Sequence, residues 1–67
     1  MEISPAVVMW RLRYNHHLLR CVFEQVGEEC FELKLYSGKE LLADEPFDEV
    51  DRLLARASEL RAKYAHH

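Results

Sequence analysis

Polar and apolar residues alternate through most of the first two thirds of this chain, and then the period changes. From position 47 onward the large apolar residues are Phe47, Val50, Leu53, Leu54, Ala57, Leu60 and Tyr64. Steps of three and four put them on one stripe of a helix, with Asp48, Glu49, Asp51, Arg52, Arg56, Glu59, Arg61 and Lys63 on the wet side. The spacing predicts an amphipathic helix over residues 46–64. Asp44 or Glu45 would cap it, Pro46 would stand in a first turn whose N–H groups have no helical partner, and Arg61 and Lys63 suit the negative end of the dipole. Asp48 with Arg52 and Glu59 with Lys63 are spaced for i,i+4 ion pairs. A lone helix of this kind does not hold together in water, so an upstream apolar face has to cover its stripe.

The alternating segments supply that face. In the run 18–26, Leu19, Cys21 and Phe23 share one side and Arg20, Val22 and Glu24 the other. In the next run Phe31, Leu33 and Leu35 alternate with Glu32, Lys34 and Tyr36, and a short strand over 40–43 feeds the helix. Asn15-His16-His17, Gly27-Glu28-Glu29 and Ser37-Gly38 carry the turn residues between runs. The first fourteen residues admit two readings. Val8, Trp10, Leu12 and Tyr14 alternating with Met9, Arg11 and Arg13 favour a strand, and a short helix opening at Ser4-Pro5 is the rival.

Register follows from parity. Directly opposed residues of an antiparallel pair point to the same side, and a slip of one turns every side chain over. Putting Phe23, Cys21 and Leu19 on the side of Phe31, Leu33 and Leu35 requires a three-residue loop, 27–29, closed by Val26 opposite Cys30. Cys21 and Cys30 then face opposite ways and form no disulfide. The expected architecture is an α+β single small domain over 1–67. It is an antiparallel meander of three to four strands followed by one long C-terminal amphipathic helix packed on one sheet face.

Composition narrows the functional classes. Sixty-seven residues allow one domain, and an apolar share of 49% with 31% charged residues is that of a folded protein. The net charge of −3 is uneven: residues 27–46 set Lys34 and Lys39 against Glu28, Glu29, Glu32, Glu40, Asp44 and Glu45. That acidic middle weighs against a protein that wraps nucleic acid. There is no secretory signal pattern at the start and no apolar run of membrane-spanning length, and two cysteines make no disulfide scaffold. A soluble, cytoplasmic protein is expected. His16 and His17 would point opposite ways on a strand, and His66 and His67, which end the chain, suit a tag as well as a native terminus. No catalytic, phosphate-binding or metal-binding spacing is present, so no enzyme, cofactor or metal is expected.

The remaining candidate is the sheet side away from the helix. Arg20, Val22, Lys34 and Tyr36 lie on it, joined by either Trp10 and its even-numbered neighbours or Arg11 and Arg13; the expected surface comprises Trp10, Arg11, Arg13, Arg20, Val22, Lys34 and Tyr36. An amphipathic side of this kind implies a non-catalytic protein-interaction module of unknown pathway, acting as a homodimer, with a further protein partner and no membrane. Self-association would run through stacked sheets, edge strands or an exchanged N-terminal segment. Four strands then a helix also resembles, in topology alone, the repeat of the Pur and Whirly folds. That resemblance implies the alternative, a single-stranded nucleic-acid binder in which Arg11, Arg13, Arg20, Lys34 and Lys39 meet phosphates while Trp10, Tyr14 and Tyr36 stack on bases.

Overall fold

Four strands and one helix follow one another in the computed structural model, which describes residues 6–65: β1 (Val7–Tyr14), β2 (His17–Gly27), β3 (Cys30–Ser37), β4 (Glu40–Phe47) and α1 (Val50–Ala65). The strands pair in chain order as one antiparallel meander, with β1 and β4 at the edges. The α+β layout expected from the sequence is the one observed, and β1 is a strand; Ser4-Pro5 lies outside the described residues.

The parity of β2 and β3 holds. Cys21 faces Leu35 and Phe23 faces Leu33 across the ladder. Leu19, Cys21, Leu33 and Leu35 are buried with Leu53, Ala57 and Leu60 of the helix, and Phe23 and Phe31 pack half-buried against them with ring centroids 5.7 Å apart. The register is reached differently from the expected loop. Glu28-Glu29 forms a two-residue turn with Gly27 opposite Cys30, and a bulge between Gln25 and Gly27 supplies the extra residue. Glu29 takes a left-handed backbone (φ 65), and a Cβ on Gly27 would lie 3.3 Å from that of Cys30.

The helix starts later than its pattern predicts. Residues 46–47 belong to β4, which pairs Pro46 with Glu32 and Phe47 with Phe31. An edge strand tolerates proline where no ladder N–H is needed. The first helical bond runs from the Leu53 N–H to the Glu49 carbonyl, so Glu49 rather than Asp44 or Glu45 stands at the cap. Leu54, expected on the apolar stripe, is exposed. The ion pairs that form are Arg52 with Glu49 and Arg56 with Glu59, each one turn apart at i,i+3.

The helix crosses the sheet from the β4 side to the β1 side. On the β4 side Arg56 grips Glu45 with two parallel bonds, Nε to Oε1 at 3.0 Å and Nη2 to Oε2 at 3.1 Å. Midway, the Trp10 indole Nε1 donates to the Ala57 carbonyl at 3.1 Å. Near its end Tyr64 meets the Tyr14 ring edge-on at 5.2 Å. All three strand-connecting turns need left-handed backbone: Asn15 (φ 50) and His16 (φ 68) in the first, Glu29 in the second, Gly38 (φ 62) in the last. Only at Gly38 is that conformation free of a side-chain penalty.

Two predictions come from this core. Leu33→Asp buries an unpaired charge among leucines and is expected to abolish folding, while Leu33→Ala should lower unfolding free energy by about 2–5 kcal/mol; circular dichroism and urea titration read both. Burial pushes the Cys21 thiol up from 9.0 to about 11. The folded chain therefore holds that proton over a window in which the unfolded chain has released it. Stability falls as pH rises between those two values, and it has no such contribution below them. Cys21→Ala should remove that part of the alkaline slope in urea midpoints measured across the window.

Candidate interaction surface

Because opposed residues share a side, the strand registers sort the uncovered face into transverse lines. Val8, Val22, Lys34 and Asp44 stand in one line. On one side of it Arg11, Arg20, Tyr36 and Leu41 form the next, with Arg13 and Leu18 beyond. On the other side Glu24, Glu32 and Pro46 follow. The face is therefore basic towards the β1–β2 turn, acidic towards the β2–β3 turn, and apolar at Val8 and Val22 between them.

Trp10, assigned to this face from the sequence, is not on it. A bulge at Met9, between the Val8–Val22 and Trp10–Cys21 pairs, shifts the register by one. It turns Trp10, Leu12 and Tyr14 under the helix, where all three pack against the core. Arg11 and Arg13 are thereby left on the open side, opposite Arg20 and Leu18. Arg11, Arg13, Arg20, Val22, Lys34 and Tyr36 share the uncovered side of the sheet. The alternation alone fitted both sides, but the two arginines flanking Leu12 carried the signal: a charged pair goes to the uncovered face. Val8, Leu41 and Asp44 also lie on this side: the bulge at Met9 parts Val8 from Trp10, and β4 runs beyond the expected 40–43 to take in Asp44.

Local bonds hold this surface in shape. Lys34 Nζ sits 3.0 Å from Glu24 Oε1 and 3.4 Å from Glu32 Oε1, bridging two carboxylates that face each other across β2 and β3. The hydrogen bond to Glu24 is the main cause that raises the Lys34 pKa above 10.5, opposed by desolvation. The Arg20 guanidinium lies over the Tyr36 ring, 4.8 Å from its centroid, and Nη2 donates to the Gly38 carbonyl at 3.4 Å. Val22 is only 5% exposed although no helix covers it, because Arg20, Glu24, Lys34 and Tyr36 lean around it. With Ala6 and Val8 these side chains line an open depression of about 400 Å³. Leu18 and Leu41 stand exposed at its basic end.

Neither sheet edge offers a regular ladder to a further strand. The β1 edge carries the bulge at Met9, and the β4 edge carries Pro46 and a second bulge between the Leu35–Ala43 and Tyr36–Leu41 pairs. Cys30 is exposed and Cys21 buried, both as free thiols. No group of three or more histidine, cysteine or acidic side chains converges among the described residues, and His66 and His67 lie outside them. Among the described residues, no helix is long and apolar enough to cross a membrane. In comparisons with protein-family models, curated proteins and solved structures, nothing matches this chain.

The bridge at Lys34 yields a prediction. A lysine whose folded pKa is raised contributes stability that is present below 10.5 and lost as pH rises through the folded value. Lys34→Met should therefore melt at a lower temperature than the parent at neutral pH, and the gap should close above 10.5. Thermal melts at the two pH values check it.

Proposed function

We propose that this chain is a small non-catalytic protein-interaction module that acts as a homodimer, the uncovered sheet face of one copy stacked on that of a second. The observation that carries this reading is the reversal of charge along one face around an apolar centre. A two-fold axis lying between the stacked sheets, along the line of Val8, Val22, Lys34 and Asp44, makes the surface complementary to itself. It sets Arg20 over Glu24 of the second copy, Tyr36 over Glu32, Leu41 over Pro46, and Val22 over Val22. Sheets stack about 10 Å apart, a distance these side chains span. Strand spacing and rise give each face roughly 400–500 Å², so the pair buries near 1,000 Å², the lower end of specific interfaces. Two-fold pairing is the commonest form of self-association, and bulged edges favour the face over strand addition. Two unpaired thiols suit a reducing compartment, so we place the module in the cytoplasm.

The shared position of Arg11, Arg13 and Arg20 keeps single-stranded nucleic acid as a second reading. Three features weigh against it. Trp10 and Tyr14 pack under the helix, Tyr36 is covered by Arg20, and Lys34 is held by two carboxylates. A stacking platform needs free ring faces.

Sedimentation of the whole chain across micromolar concentrations should show a reversible dimer. Arg11→Glu with Arg20→Glu should be monomeric, and so should Glu24→Lys with Glu32→Lys and Lys34→Glu, which keeps the bridge with its signs exchanged. Mixing the two sets should restore a dimer, because each then meets the opposite charge. A parent chain that stays monomeric throughout defeats the dimer. Oligonucleotide binding that falls steeply with salt would favour the second reading instead.

A further inference from the structure

At the acidic end of the sheet the β2–β3 turn and the end of β4 lie ahead of the first turn of α1, whose first buried residue is Leu53. Val26 and Pro46 are exposed there, and Phe31 and Phe47, paired across β3 and β4, are only half-buried. These four side chains bound an open cleft of about 620 Å³, within the ordinary size range of ligand sites. Phe23 backs the Phe31 ring, so the apolar floor is anchored to the core. The rim is acidic, with Glu29, Glu32 and Asp48 lining the opening. Arg52 is the base that lines it, and its Nε lies 3.5 Å from Glu49. Glu28, beside Glu29 in the turn, adds to the same field. An apolar floor inside a negative rim selects against nucleic acid and anionic lipid, and selects for a ligand that carries positive charge around an apolar anchor.

We infer that this cleft docks a peptide segment of another protein in which an aromatic or branched aliphatic residue is flanked by lysine or arginine. The apolar side chain enters between Val26, Phe31 and Phe47, and the flanking cations meet Glu29 and Asp48. This rests on reading the chain as an interaction module, not on its being a dimer. The cleft borders the proposed dimer face at Glu32 and Pro46, but its floor of Val26, Phe31 and Phe47 lies at the end of the sheet, away from Arg11 and Arg20.

The test uses the whole chain labelled with nitrogen-15 and two synthetic peptides, one with Lys-Arg-Phe-Leu-Lys at its centre and one with Glu-Glu-Phe-Leu-Glu. The basic peptide should shift the amide signals of Val26, Phe31, Phe47 and Asp48, and slow alkylation of Cys30, which lines the cleft, but not of buried Cys21. Affinity should fall as salt is raised, and by about tenfold in Glu29→Lys with Asp48→Lys, two surface changes that leave the helical signal intact. The monomeric Arg11→Glu, Arg20→Glu chain should bind the basic peptide as the parent does. Equal binding of the acidic peptide, shifts confined to the open sheet face, or no shift at millimolar peptide would overturn the inference. So would a salt-sensitive association of the parent chain abolished by Glu29→Lys with Asp48→Lys, since the occupant would then be a second copy. Failure of the peptide with an intact dimer removes the cleft alone, and peptide binding by a strict monomer removes the dimer alone.

Discussion

The structure depends on a dry seam between two layers. Leu19, Cys21, Leu33 and Leu35 on the sheet close against Leu53, Ala57 and Leu60 on the helix, and each is 5% exposed or less. In a chain this short that contact is most of the core, and burial of each leucine contributes about 1.5–3 kcal/mol before chain entropy is opposed to it. Every polar arrangement elsewhere is secondary to keeping these side chains on one side. The small residues in the seam matter as much as the large ones. Ala57 lets the helix lie close enough for its own carbonyl to receive the Trp10 indole, so one position both brings the layers together and gives a half-buried polar ring its partner.

Parity made much of this legible in the residues themselves. Two adjacent runs with strict alternation, joined by a glycine-containing turn, leave one register that dries both apolar sides, and it is the register found between β2 and β3. The separation of Cys21 from Cys30 came with it. What was not legible depended on single residues inserted into ladders. A bulge has no pattern of its own: the alternation of β1 looks the same whether Met9 is an extra residue or an ordinary one, yet it decides where Trp10 goes. Around residue 46 two local chemistries compete for one signature. Acids followed by proline mark a helix start, and they also suit an edge strand whose outer rim faces water. The pairing of Phe47 with Phe31 selected the strand, a choice that only tertiary packing makes.

The uncovered face shows how a small sheet keeps charged residues without leaving them idle. Glu24 and Glu32 oppose each other directly, an unfavourable placement that Lys34 converts into a three-membered bridge. Arg20 is held against Tyr36 and Gly38 in the same manner. These side chains have already lost rotamer freedom, so less ordering remains to be done when another surface arrives. The two ends of the molecule thus differ in kind: a preset, mixed-charge face above, and below it an apolar notch with an acidic lip.

The two edge bulges have a consequence for the protein in bulk. A strand rim with evenly spaced N–H and C=O groups is a template on which chains accumulate without limit, and a sheet of four strands with one face bare is the kind of object in which fibres begin. Here each rim is broken by a residue out of step, and one carries a proline besides. An arriving chain finds matching groups for only part of its length. Such rims disfavour growth along the hydrogen-bonding direction, the step by which amyloid elongates, and the same two irregularities aim the side chains of β1 and β4.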